Sequence, residues 1–265
     1  MMKDSIKKFL GAAFLMALPL MFTSCDEIIG ELDNPLENLP NTVEPTTYPV
    51  DLSAASGDIT IESDGAVVSG DLSNYVTLDI KAGVSNVTIA GIHDDEEPYL
   101  TINCNDDVTL NLSDKNYIYD INTNGHTITI NISDATGLLY ISNGSGTPIS
   151  GNGTIKLEGG KMVVTAAGDY HAIESNVIIT GGVLRAAALG SGNDIHGNLT
   201  VSGSGAVYIG YNNTSITPAV SGTVTGAYEY TASWSADKLN NKTTTAKYVS
   251  TDNSSSSFGS GEWVF

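Results

Sequence analysis

Positive charge is what this sequence has least of. Eleven lysines and arginines stand against thirty aspartates and glutamates, for a formal net charge of −19, and Arg185 is the one arginine. Nucleic-acid backbones call for a basic surface, so that class of partner is excluded. The charge suits neutral sugars, cations or basic partners, and polyanions only where a cation bridges them. Charged residues of either sign amount to 15 % of the chain, while glycine alone contributes 28 residues. Such a composition disfavours helices and favours short strands and turns. Disorder is excluded in the body of the chain, because Ile, Val and Leu recur there in regular short runs.

Cysteine is also scarce, with Cys25 and Cys104 alone. Cys104 extends the alternation Leu100, Ile102, Cys104, which marks it as a small inward side chain. Cys25 belongs to a different pattern. Lys3, Lys7 and Lys8 precede an apolar run from Phe9 to Phe22, and Thr23 and Ser24 lead into the cysteine. The run is short for a membrane span and has the charge and flanks of an export signal. Its end resembles a bacterial lipoprotein signal of the form seen in Bacteroidota. That resemblance implies diacylation of the Cys25 thiol and an outer-membrane lipoprotein exposed to the cell exterior. Acyl chains contribute about 0.8 kcal/mol per buried CH₂, so two or more hold durably. Asp26 and Glu27 resemble the acidic export tag of surface lipoproteins. The expected organisation is a signal over 1–24, a Pro-rich acidic tether over 25–50, and one domain over 51–265 with a cap near 255–265 that includes Trp263 and Phe265.

From about residue 58 the chain alternates. DITIES, YVTLDI and HTITINIS each place apolar residues two apart, with Asp, Asn and Gly between runs. Alternation of this kind sends one face inward and the other to water. In the second half the alternation becomes a repeat. Gly159, Gly181 and Gly203 lie 22 apart, and Ile149, Ile173, Ile195 and Val220 fall at intervals of 24, 22 and 25. A period of this length built from short strands indicates stacked coils, since a lone repeat cannot bury its apolar face. The expected fold is all-β, a right-handed parallel β-helix with irregular N-terminal coils. Ile155, Val177 and Leu199 would form one inward file, and Leu157, Ile179 and Val201 the next. A β-sandwich also supplies short strands but leaves the glycine period unexplained.

The stretches IKLEGGKMVVTAAGDYHAIES and VIITGGVLRAAALGSGNDIHG carry a strand, a TGG or EGG turn, a second strand and a further turn. Residues 148–228 thereby resemble a bacterial cellulose- and pectin-related carbohydrate-binding family of parallel β-helices. The resemblance implies an exported protein that holds acidic plant polysaccharide with calcium along the helix. The family's Asp-Gly-Ile turn reads Tyr170, His171, Ala172, Ile173 in one copy here and Asn193, Asp194, Ile195, His196 in another.

Candidate sites divide by chemistry. His171 and Glu174 are three apart, and His196 takes the repeat position of Glu174. This column reads as a coil corner whose polar residues offer an edge to a ligand. Asp94, Asp95, Glu96 and Glu97, with Asp106 and Asp107 one strand later, are hard oxygen donors of the kind calcium takes, or else a solvated acidic loop. Asp169 is a further calcium candidate. Tyr208, Tyr211, Tyr228, Tyr230 and Trp234 are rings on which sugar faces could lie. The functional expectation is a surface module that binds extracellular polysaccharide without catalysis and meets the membrane through its lipid alone. Two alternatives stay open. One is an adhesin-like structural module with a cell-surface protein as partner. The other is a polysaccharide lyase or hydrolase, which would need a base such as Arg185 beside clustered carboxylates, or two carboxylic acids across a cleft.

Overall fold

Three β-sheets share a single apolar interior. The computed structural model describes residues 49–55, 57–92, 100–134, 137–211, 219–226, 228–236 and 242–250. All of them belong to one compact unit, Pro45–Phe265. The signal, Cys25, the tether up to residue 48, Asp94, Asp95, Glu96, Glu97 and the 255–265 cap lie outside the described residues, while Pro49 and Val50 at the end of the expected tether belong to the first strand.

The expected parallel β-solenoid is the fold. A nine-strand sheet collects Pro49–Asp51, Ala66–Ser69, Asn86–Ala90, Val108–Ser113, Thr127–Ile132, Thr154–Leu157, Asn176–Ile179, Leu199–Val201 and Val224–Thr225, every pair parallel. Partners across it are 20 residues apart at Val108 and Ile128, 27 at Ile128 and Ile155, and 22 from Ile155 to Val177 to Leu199. The unequal early coils account for the uneven spacing in the first half of the sequence.

The other two sheets divide the chain between them. Early coils alternate between the nine-strand sheet and a five-strand sheet of Ile59–Ile61, Val76–Ile80, Leu100–Cys104, Asp120–Asn122 and Ile149–Ser150. Later coils add a seven-strand sheet that begins at Lys115–Ile118 and continues through Leu138–Asn143, Lys161–Ala166, Val183–Ala188 and Ala206–Tyr211. There the five-strand sheet thins to single bridges, Ile149 to Ile173 to Ile195 to Val220, the column expected from the sequence. Asn116 marks the handover. It is fully buried where its registered neighbour is Leu139, and it ties the first strand of the new sheet to the chain before it. Its Oδ1 accepts the Ile92 N–H at 3.0 Å and its Nδ2 donates to the Ser113 carbonyl at 2.8 Å.

The core is made of files. Ile155, Val177 and Leu199 align, as do Leu157, Ile179 and Val201, and all six are fully buried. Each such side chain contributes about 1.5–3 kcal/mol through burial. Cys104 pairs in register with Ile80 inside this core, and burial pushes its thiol up to about 12, so it is inert. Glycine is required at the later turns. Gly160 and Gly182 have φ of +73° and +75°, and a Cβ on Gly182 would sit 2.5 Å from the Gly160 carbonyl oxygen.

The last described part departs from the repeat. Tyr228–Ala236 and Lys242–Ser250 form an antiparallel hairpin on the strand Ala206–Tyr211. Tyr208 and Tyr230 are separated by Tyr248 of the intervening strand. The connection over 237–241 is too short for a crossover to another parallel strand, which needs a dozen or more residues.

Candidate functional site

The seven-strand sheet gathers residues that are distant in the chain. Its register aligns Tyr117, Tyr140, Val163, Arg185 and Tyr208, one from each of five successive parallel strands. Their neighbours on the strand, Asn116 and Ile118, Leu139 and Ile141, Leu184 and Ala186, Val207 and Ile209, are buried, so the file points outward. The Tyr117 and Tyr140 rings stand 5.7 Å apart, tilted by 55°. Val163 is only 4 % exposed despite its outward position, because Tyr140 and Arg185 flank it. Burial draws the Arg185 guanidinium below its ordinary value and Tyr140 opposes that shift. An arginine starts so high that it stays charged at neutral pH.

Each side of this file has its own chemistry. On one side run Lys115, Leu138, Lys161, Val183 and Ala206; on the other run Ser142, Thr165 and Ala187. None of the five strands contains an aspartate or glutamate. In a chain of net charge −19 this is a local surplus of cations on a strip of rings. A second ring pair lies nearby in sequence. Tyr75 and Tyr119 meet edge to face at 5.9 Å, and the Tyr119 hydroxyl is 2.8 Å from Ser145 Oγ. Tyr117 and Tyr140 were not among the candidates from the sequence, although each occupies an alternate slot of its strand, KNYI or LLYISN. Their adjacency was not legible, since it depends on a coil register that the irregular half obscures.

Tyr208 is the one aromatic candidate that joins this file among those whose side chains are described. Tyr230 shares its register position through Tyr248, while Tyr211, Tyr228 and Trp234 stand opposite Thr245, Ser250 and Thr244 in the hairpin ladder.

His171, Glu174 and His196 lie at the corner of the later coils. The bridge from Ile173 to Ile195 places Glu174 and His196 at matching positions on adjacent coils. The His171 and His196 rings stack, with centroids 4.2 Å apart and planes 8° apart. Asn193 joins them: its backbone N–H donates to His171 Nδ1 at 2.9 Å, and its Oδ1 is 3.2 Å from His196 Nδ1. His171 Nδ1 is thus an acceptor and carries no proton. Burial holds the His171 pKa below the usual histidine value; His196 adds to that shift and Glu174 opposes it. The arrangement fastens one coil to the next.

Carboxylates in the turns do similar work. Asp64 Oδ1 accepts the Asn86 N–H at 3.0 Å and the Ser85 N–H. Asp169 accepts the Ser191 N–H at 3.1 Å and its hydroxyl at 2.7 Å. Among the described residues, the one grouping of three potential metal ligands is Asp106, Asp107 and His126, with ligand atoms within 4.8 Å of one another. His126 is a member that sequence spacing did not suggest. Asp106 already accepts the Gly83 and Asp107 N–H groups, and Asp107 accepts the Thr127 N–H at 2.7 Å. The grouping therefore has a structural use without an ion, and Asp169 is not part of it. Asp194 was read only as part of a turn. It is 2 % exposed, its Oδ1 accepts the Ala188 N–H at 2.6 Å, and its Oδ2 has no hydrogen-bond partner. Burial raises its pKa well above the carboxylate range.

No family model, curated protein or solved structure matches the chain. What is assembled is a solenoid of the kind that serves as a binding or structural module. The five parallel strands of the Arg185 face hold no carboxylate.

Proposed function

We propose that this chain is a lipid-anchored surface module that holds extracellular polysaccharide on the outward face of its seven-strand sheet and does not turn it over. The observation that carries the reading is the file of Tyr117, Tyr140, Val163, Arg185 and Tyr208. Flat apolar ring faces of pyranoses lie against tyrosine, and the flanking Lys115, Lys161, Ser142 and Thr165 offer hydrogen bonds to their hydroxyls. Calcium is not required by this face. Cys25 is the proposed anchor at the outer membrane, and Cys25→Ala is expected to move the protein from the membrane to the soluble fraction. A glycan array probed with residues 26–265, with and without Ca²⁺, tests the binding. At least one extracellular polysaccharide is retained, and the double substitution Tyr117→Ala, Tyr140→Ala abolishes retention while the melting curve stays cooperative. Loss of no glycan signal in that variant sinks the proposal.

One observation favours a protein partner instead. Tyr228–Ala236 pairs with Lys242–Ser250 and with no other strand among the described residues, and in the adhesin-like reading its outer edge takes an added strand of the partner. Crosslinking from that strand into a cell-surface protein, with the glycan array blank, would establish it.

A further inference from the structure

We infer that the polysaccharide lies along the solenoid axis, with consecutive sugar units meeting consecutive coils, so that the site reads an internal stretch of about four units and takes no single sugar or chain end. The inference rests on the glycan reading above and adds direction, length and class of ligand.

The rings of this face line up in one direction only. Along a strand the chemistry changes every second residue. In Lys161–Ala166, for example, the outward side chains run from the cationic Lys161 through Val163 to the hydroxyl of Thr165. Along the axis the middle file, Tyr117, Tyr140, Val163, Arg185 and Tyr208, has rings at both ends and a guanidinium plane between them, with Lys115, Leu138, Lys161, Val183 and Ala206 on one side and Ser142, Thr165 and Ala187 on the other. A polymer meets several of these stacking groups in succession only when it follows the file. Neighbouring strands are about 4.8 Å apart, so the file from Tyr117 to Tyr208 extends about 19 Å. One pyranose in an extended chain advances by a length comparable to one coil. The 5.7 Å between the Tyr117 and Tyr140 rings is this same step measured on the side chains. Val163 sits in the centre of the file, registered between Tyr140 and Arg185 and 4 % exposed.

The flanks add a chemical condition. Lys115, Lys161 and Arg185 are donors without acceptor capacity, and no carboxylate interrupts them. The edge of the polymer turned toward them presents acceptors, whether hydroxyl oxygens or carboxylates. A strong fall in affinity with added salt would mark carboxylates, and a weak one hydroxyls.

Three oligosaccharide ladders test the inference by calorimetry: β-1,4-linked glucose, β-1,4-linked xylose and α-1,4-linked galacturonate, each from one to eight units. In the ladder that binds, affinity is expected to rise at least tenfold between two and four units and to level off beyond about five. Tyr117→Ala and Tyr208→Ala, at opposite ends of the file, should each weaken the six-unit ligand about tenfold. Phenylalanine at the same positions keeps the ring and retains binding, which separates loss of the ring from loss of the fold. A two-unit ligand as tight as the six-unit one, or an effect at only one end of the file, overturns the axial inference and leaves glycan binding standing. Absence of binding by all three ladders and by their parent polymers overturns both.

Discussion

The two halves of the solenoid obey one interior rule and present two different exteriors. Residues 49–114 hold thirteen carboxylates and one lysine, whereas residues 115–250 hold eight carboxylates, six lysines and Arg185. The first half builds coils from two sheets and uses turn carboxylates as staples, such as Asp64 to Ser85 and Asn86 and Asp106 to Gly83. The second half opens a third sheet and closes its bends with Gly160 and Gly182 and its corner with the stacked His171 and His196. The lesson is that acidity and function are separable here. Turn carboxylates such as Asp64, Asp106 and Asp169 act between coils, and the five parallel strands of the face proposed to bind glycan hold none.

The sharpest way to break this comparison is to ask whether the halves fold together. Ile89 and Ile179 are fully buried inward residues of the nine-strand sheet, one in each half. Substitution of either by alanine is expected to cost about 2–5 kcal/mol. In urea melts both should move a single shared transition, because a continuous core couples them. Two separable transitions would show that the halves are independent.

Turn chemistry gives the next largest contrast. Gly182→Ala in the second half meets both a left-handed backbone and the Gly160 carbonyl. Gly83→Ala in the first half meets the backbone cost alone, since nothing lies within 4 Å of its added Cβ and its φ is +90°. Left-handed conformation costs about 1–2 kcal/mol for an L-residue, so Gly83→Ala should lose about that much and Gly182→Ala clearly more, read from the same melts.

The smallest expected effects are in pH, and Asp194 and Asp64, one in each half, should show opposite signs. Asp194 has a folded pKa raised by burial, so its share of stability is complete below the unfolded carboxylate value and is lost as pH rises through the folded one. Asp194→Asn should therefore stabilise the protein at neutral pH and lose that advantage in acid. Asp64 has a pKa lowered chiefly by the Ser85 backbone N–H, so its contribution is present above the unfolded value and is lost as pH falls through the folded one. Asp64→Ala should destabilise at neutral pH and converge with the parent in strong acid. Thermal melts between acid and neutral pH read both; parallel curves for the two variants would contradict the assignment. His171, whose pKa is lowered by burial and by His196, should add a loss of stability as pH falls through the ordinary histidine range, and His171→Gln should flatten that part of the curve.

Much of the fold was legible in local pattern. The files of Ile155 and Leu157 and the column of Ile149 and Ile173 follow from alternation and a 22-residue repeat, and they pair as expected. The glycines needed one adjustment. Gly181 belongs to the period read from the sequence, but Gly182 beside it takes the positive φ, because the left-handed turn comes one residue later. The terminal hairpin was illegible, since TGAYEY continues the composition of the repeat while a short connection turns its strand back. At the corner, His171 and Glu174 could be placed, but Asn193 as the link between the two histidines could not. Nothing in a polar turn residue announces which neighbouring coil its backbone N–H will face.

By itself the sequence determined which residues go inside, because burial depends on alternation, and alternation is a property of the chain from one residue to the next. It also determined that coils must stack, because none can cover its own apolar face. Only the tertiary structure decided which outward residues become neighbours. Tyr117, Tyr140, Arg185 and Tyr208 are a full coil or more apart in the chain, and they form one strip because backbone hydrogen bonds set the register of each coil on the last. A slip of one residue in any coil would turn that coil's contribution inward and divide the strip.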